Sequence, residues 1–266
     1  LGSVPRGNVT IKVADASGAT VRTMLGTKQR GINRVMWDLR DAPSMAIRMR
    51  TTPLFADWVD LGPNRVRSGG NGITIAQPPG TYQVTLEVDG RSFTQPLRLL
   101  KDPNSDGTEA DIAAQFVALK AMRVDHDSAA SAINRIEWTK RQLLDLEAIL
   151  RDQPAGNGNA EILRQSQALS QKLIAVEEHL VQLRTTGTGQ DGVRWPAQVS
   201  ERLRYLIGNT ATNDYKPTDQ TGEVHQVLKV ELEEARKNLN AILSTDLPAL
   251  NRLLQQRNLP GIILNE

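Results

Sequence analysis

The sequence predicts an antiparallel β-sandwich followed by an all-α antiparallel helical bundle, with strands and helices segregated along the chain. Three observations carry this reading. Residues 31–40, GINRVMWDLR, set Val35, Trp37 and Leu39 on one side and Arg34, Met36 and Asp38 on the other, the period of a half-buried strand. Residues 80–90, GTYQVTLEVDG, repeat it, with Tyr82, Val84, Leu86 and Val88 opposite Gln83, Thr85, Glu87 and Asp89, and two strands with one apolar face each can close a sandwich. Beyond residue 107 the composition turns from Gly, Pro and Thr to Ala, Leu, Gln and Glu, and apolar residues recur at helical spacing. The expected organisation is a sandwich over 1–102 with a long 41–79 loop, a linker at 103–107, and a helical bundle over 108–266.

Taken in order, 9–14 (VTIKVA) alternates as a first strand and 15–18 (DASG) is a tight connection, because Asp and Ser bond nearby backbone and Gly permits positive φ. Residues 20–25 pair back, and 26–30 turn into the strand at 31–39. From 41 to 79 the periodicity fails; so long an irregular stretch is uncommon in a compact domain and is usually functional or a cover. Leu54, Phe55 and Trp58 are expected to pin it to the sandwich. Asp89-Gly90 is a hairpin signal, and 91–100 is the return strand, with Pro96 marking an edge or bulge.

Thr108 with Asp111 resembles a capping box and starts a helix over 109–151, roughly 65 Å long at about 1.5 Å per residue, with a bend expected at 127–131 where small residues interrupt the stripe. Further helices are expected at 160–184, 196–207 and 223–243, with a short one at 246–255 and an apolar tail at 259–264.

Composition excludes several classes. Hydrophobic residues make up 39%, aromatics 4% and charged residues 23%, which is globular rather than disordered, and no apolar run approaches the ~18 residues that span a bilayer. Residues 1–102 carry 14 Lys+Arg against 8 Asp+Glu, net +6, and 103–266 carry 18 against 22, net −4. Arg40, Arg48, Arg50, Arg65 and Arg67 crowd one segment but are not interleaved with stacking aromatics, so no nucleic-acid partner is expected. The absence of cysteine excludes disulfides, thiolate metal sites and cysteine nucleophiles. The chain opens with Leu rather than Met, so a fragment of a longer precursor is expected.

No G-x-S-x-G, P-loop or dinucleotide fingerprint is present. His126, His179 and His225 fall on expected helices without zinc spacing, and Asp125-His126-Asp127 diverge by about 100° per residue, the pattern of a solvated face. The best ion-site candidate is Asp102, Asn104 and Asp106 with Gly107, the first half of a calcium loop; its twelfth position is Ala113 instead of a bidentate acid. An interdomain turn with helix capping is the plainer reading, and no other cofactor is expected. Candidate ligand-binding residues are Trp58, Phe55, Arg48 and Arg50 on the long loop.

The runs VTIKVADASGATVRTMLG, GINRVMWDLR and PPGTYQVTLEVDGRSFTQPLRLLKDP, with the tail STDLPALNRLLQQRNLPGI, resemble the C-terminal region of bacterial sortilin-like, BNR-repeat propeller proteins labelled glycosyl hydrolase: an Ig-like β domain, similar also to that of flagellar hook-capping proteins, plus a helical tail. The resemblance implies a periplasmic or secreted protein and a non-catalytic module that docks to a propeller or partner subunit. It also implies that any hydrolase activity belongs to a missing propeller, so no catalytic residue is carried over. An additional strand precedes the matching segment in those relatives, which implies an exposed edge here. The alternative is a carbohydrate-binding accessory module of a secreted glycoside hydrolase, binding polysaccharide through Trp58 and Phe55.

Overall fold

The computed structural model describes residues 1–59, 65–66, 72–153, 159–186 and 190–264, with the backbone alone at 65, 66 and 191. Arg67, in the cationic segment, lies outside the described residues. The chain divides into two units: Leu1–Ser44, Ile73–Ala121 and Asn209–Asp219 form the first, and Met45–Gly72, Met122–Gly208 and Gln220–Glu266 the second. Both units are discontinuous in sequence, and the division crosses the helix that follows residue 107.

The first unit is built on one four-stranded antiparallel sheet: β1 (Thr10–Ala14), β2 (Thr20–Leu25), β5 (Gly80–Val88) and β6 (Arg91–Leu99) in the order β2-β1-β5-β6. Both hairpins have the turn chemistry their sequences demand. Asp15 Oδ1 accepts from the backbone N–H groups of Ser17 (2.9 Å) and Ala19 (3.0 Å), and Gly18 takes φ +85°. Asp89 (φ +46°) and Gly90 (φ +75°) supply the two left-handed residues of a primed turn.

The sandwich is not formed. Residues 31–39 make no strand, and the one ladder element there is the isolated bridge Arg40↔Ala76. Positive φ at Gly31 (+100°) and Leu39 (+59°) turns the chain at both ends of the stretch. Its alternation is real but serves another purpose: Val35 and Trp37 are half-buried while Arg34, Met36 and Asp38 are exposed. The neighbouring pair 39–44 and 73–77 approaches a second layer, with main-chain bonds Gln77 N–H to Leu39 O (2.8 Å), Asp41 N–H to Ile75 O (3.0 Å) and Ser44 N–H to Ile73 O (2.9 Å). Two side chains then take the donors that a ladder carbonyl would use: Asp41 Oδ1 accepts from Ile75 N–H and Ser44 Oγ from Ile73 N–H, each at 2.7 Å. Local acceptors of this kind replace strand pairing. The architecture is therefore one small sheet with helices, not an Ig-like sandwich followed by a bundle.

Helix α1 (Glu109–Arg151) runs as one continuous helix. Its start is a full reciprocal box: Thr108 Oγ1 donates to Asp111 Oδ2 (2.6 Å), Thr108 N–H to the same oxygen (3.1 Å), and Asp111 N–H to Thr108 Oγ1 (3.1 Å). Gly107 ahead of it is obligatory, because a Cβ there would stand 2.2 Å from the carbonyl oxygen of Asp214.

The second unit packs α1 from Met122 onward with α2 (Asn159–Leu180), α4 (Val199–Thr210, up to Gly208), α5 (Asp219–Ala241, from Gln220) and α6 (Leu247–Gln256); α3 (Asp191–Arg194) is a single turn, and the π-turn Ile242–Asp246 joins α5 to α6. The core is the heptad-like stripe of α1 (Ala129, Ile133, Ile136, Leu143) against Leu173 and Leu180 of α2, Leu203 of α4 and Leu228 and Leu232 of α5. Part of the long loop joins this core: Ile47 and Met49 are buried in it and Leu54 packs on it, and β3 (Arg48–Met49) pairs with β4 (Arg65–Val66). Phe55 and Trp58, expected to pin the loop, are 80% and 74% exposed. The tail is held by two amide side chains. Asn251 bonds both main-chain groups of Ile262 (3.0 and 2.7 Å), and Gln142 bonds both of Ile263 (2.8 and 2.9 Å).

Candidate functional site

Strand register decides which face of the sheet is apolar. Ile11 stands opposite Met24 and Leu86, Val13 opposite Val84, Leu86 opposite Phe93, and Tyr82 opposite Leu97, so these side chains share one face because residues directly across a ladder project together. The other face is polar, with Lys12 paired to Glu87 (2.7 Å) and Thr85 to Thr94 (2.9 Å).

The extended stretch 31–37 lies against the apolar face as a strap. Trp37 meets Tyr82 edge-to-face at 5.7 Å and 67°, its Nε1–H donates to Arg40 O (2.8 Å), and the Tyr82 hydroxyl donates to Pro78 O (2.7 Å). Burial pushes the Tyr82 phenol above its usual pKa. The strap covers the sheet incompletely. A cavity of about 690 Å³ is lined by Ile11, Val13, Val35, Trp37, Leu86 and Phe93 among others, and Ile32 is 100% and Phe93 55% exposed at its margin. Among the described residues the backbone of 32–38 makes no main-chain hydrogen bond, and β6 pairs on one side only. Among the described residues no ionisable side chain lines the cavity, whose surface is chiefly apolar.

The residues singled out in the sequence scatter. Arg48 and Arg50 line a polar hollow with Arg135 and Trp138, and the Arg50 guanidinium lies over the Trp138 ring at 5.1 Å. Phe55 is elsewhere, under the Arg184 guanidinium (5.2 Å), which also covers Trp195 (4.9 Å). At the calcium-like loop, Asp102 Oδ1 accepts from the N–H and side-chain amide of Asn104 (2.9 and 3.2 Å), and Asp106 is exposed. The cation of this turn is an ammonium: Lys101 Nζ donates to the carbonyls of Asp102 and Ser105. Among the described residues no group of three or more His, Asp or Glu side chains is arranged to hold a metal ion.

Two buried polar clusters in the helical unit were missed. Glu137 and Glu177 are 0% and Lys140 5% exposed, and the ammonium bridges them at 2.9 and 2.6 Å. Glu137 also accepts from the Thr51 N–H (2.8 Å), the Thr51 hydroxyl (2.5 Å) and the Arg50 N–H, so the triad ties the loop to α1 and α2. Burial raises the Glu177 carboxyl to about 8 against the opposing pull of Lys140. At Glu137 burial acts in the same sense, but Lys140, Thr51 and Arg50 outweigh it and the carboxyl is held below its usual value. A set of one carboxylate, one ammonium and one protonated carboxyl sealed this way positions backbone; the i,i+3 pair Glu137–Lys140 inside the apolar stripe was its sequence signal.

The solvated face expected at 125–127 is corrected as well. His126 is 0% exposed, neither ring nitrogen has a hydrogen-bond partner among the described residues, and burial, with Arg204 and Arg123 nearby, lowers its pKa to about 4. Asp125 pairs with His225 Nε2 (2.7 Å), and Asp127 accepts from Met45 N–H (2.8 Å).

No family model, no curated protein and no solved structure matches the chain. With one four-stranded sheet and a two-residue ladder of β3 and β4 among the described residues, neither an Ig-like sandwich, BNR repeats nor a glycosyl hydrolase relationship is supported. No helix among the described residues is long and apolar enough to cross a membrane.

Proposed function

We propose that the chain is a non-catalytic interaction module whose sheet face receives an extended, apolar, acid-flanked segment of a protein partner. The observation that carries this is the half-covered apolar face bounded by a strap whose backbone from 32 to 38 has no main-chain partner among the described residues. Backbone with strand-like alternation and free N–H and C=O groups is a template for β-augmentation, in which main-chain bonds give affinity and alternate side chains fill the cavity. Charge selects the occupant. The strap and its approach carry Lys28, Arg30 and Arg34, and no acidic residue occurs between Asp15 and Asp38, so acidic flanks on the incoming strand are favoured.

The test is titration of an alternating Val/Thr peptide with Asp at both ends, followed by Trp37 fluorescence and hydrogen exchange of the 32–38 amides. Saturable binding is expected, weakened at least about tenfold, or ~1.4 kcal/mol, by Phe93→Asp, with slower exchange along the strap. No saturation, or binding indifferent to Phe93→Asp, would refute the reading.

A second reading, a carbohydrate-binding accessory module, is supported by the exposure of Phe55 and Trp58 on one loop (80% and 74%). Retention on polysaccharide that is lost in Trp58→Ala would favour it over the first.

A further inference from the structure

The helical unit carries an arginine cluster that the interaction surface does not use. On α1, Ser128, Ser131 and Arg135 recur at spacings of three and four and so share one face. They meet Arg236 and Asn240 of α5 around a hollow of about 100 Å³. Ser131 and Arg135 also line the adjoining hollow of about 310 Å³ together with Arg48, Arg50, Asn134 and Trp138. All of these residues belong to the same unit. The two hollows therefore hold four guanidinium groups, two serine hydroxyls and two amides, and among the described residues not one carboxylate lines either.

This arrangement departs from how the protein treats its other arginines. Arg141, Arg151, Arg164 and Arg202 each lie within 3.0 Å of a carboxylate. Among the described residues Arg48, Arg50, Arg135 and Arg236 form no ion pair, and Arg135 Nε is buried without a hydrogen-bond partner. Like charges gathered without a counterion repel one another, and a buried guanidinium donor left unbonded costs free energy. A bound oxyanion removes the first penalty by supplying the missing counterion.

The walls are already fixed. Asn134 Oδ1 accepts from Arg48 N–H (2.7 Å) and its Nδ2 donates to Ala46 O (2.9 Å). Arg50 is stacked on Trp138 and bonded through Nη1 to Arg48 O (3.1 Å). Donors held in place before the ligand arrives lose little entropy on binding.

We infer that these paired hollows bind a ligand bearing two tetrahedral oxyanionic groups, phosphate or sulfate esters, with Arg135 shared between the groups. Guanidinium forks match tetrahedral oxyanions through paired N–H donors, and serine hydroxyls complete the shell. Trp138 already has one face covered by Arg50, and among the described residues no second aromatic lines either hollow, so a base-stacking polynucleotide is the poorer fit.

The experiment is calorimetric titration of the full chain at low salt with inorganic phosphate, sulfate and pyrophosphate. Pyrophosphate should bind at least about tenfold more tightly than either single anion, since Arg135 lines both hollows and can serve both of its groups. The tighter of phosphate and sulfate names the ester class. Arg236→Gln, at an exposed position on α5, should bring pyrophosphate down to the affinity of the single anion, and Arg48→Gln should weaken it from the other hollow; neither variant should lower the unfolding midpoint without ligand, since each removes one of the like charges. Arg135→Gln should weaken all three anions. Absence of saturable binding by any of the three, or pyrophosphate binding unchanged in both Arg236→Gln and Arg48→Gln, would overturn the inference.

Discussion

His126 makes a prediction whose size follows from two numbers. The ring titrates near 6.5 when unfolded and at about 4 when folded, because it sits at 0% exposure with its nitrogens unbonded. A depressed folded pKa means that the unfolded chain takes up a proton between pH 6.5 and 4 while the folded chain does not, so stability is complete above 6.5 and falls as the solution is acidified toward 4. A difference of about 2.5 units at ~1.4 kcal/mol each gives about 3 kcal/mol. The perturbation is His126→Leu, which removes the titrating group and the unbonded nitrogens while keeping the volume apolar. Urea unfolding at pH 7, 6, 5 and 4 reads the effect. With a slope of ~2 kcal/mol/M, the wild-type midpoint should fall by about 1.5 M more than that of the variant, and the difference isolates His126 from carboxylates common to both. Parallel midpoints for the two proteins across that range, or a ring proton resonance titrating near 6.5, would refute the reasoning.

The buried triad makes a second prediction with opposite sign. Glu177, raised from 4.5 to about 8, holds its proton in the folded state, so its contribution is full below 4.5 and is lost as pH rises toward 8; Glu177→Gln should flatten that loss, measured as the midpoint difference between pH 5 and 8. Lys140→Met should instead destabilise by about 3 to 5 kcal/mol at neutral pH, since it leaves two carboxyl groups buried without their cation, and equal midpoints for wild type and Lys140→Met would exclude the ion triad. Gly107→Ala places a Cβ 2.2 Å from Asp214 O and should cost about 1 to 3 kcal/mol in thermal unfolding; an unchanged Tm would show that the 107–214 approach is not tight.

How far the chain was legible depended on the range of the interaction that fixes each part. The β1–β2 and β5–β6 hairpins and the start of α1 are set by neighbours: Asp15, Asp89-Gly90 and the Thr108–Asp111 box bond within a few residues, and each was readable. The strap was misread because alternation reports only which side chains turn inward, and Val35 and Trp37 satisfy it by lying on a sheet without joining it. Asp41 and Ser44, which take the N–H groups of Ile75 and Ile73, gave no signal, since their partners lie about thirty residues away. His126 was readable in principle. It stands four residues after Met122 and seven before Ile133, on the stripe already assigned to the core, and its polarity hid its position. Arg135 and Arg236 come together only when α1 and α5 pack, which no spacing in the sequence encodes.

The hold on the tail has a consequence of its own. Asn251 and Gln142 grip Ile262 and Ile263 as a strand would, with neutral amides on both sides of every bond. Neither ionic strength nor acidity has a charge to act on there. A solute that competes for peptide groups does, so the C-terminal segment should peel away in urea at concentrations that leave sodium chloride without effect.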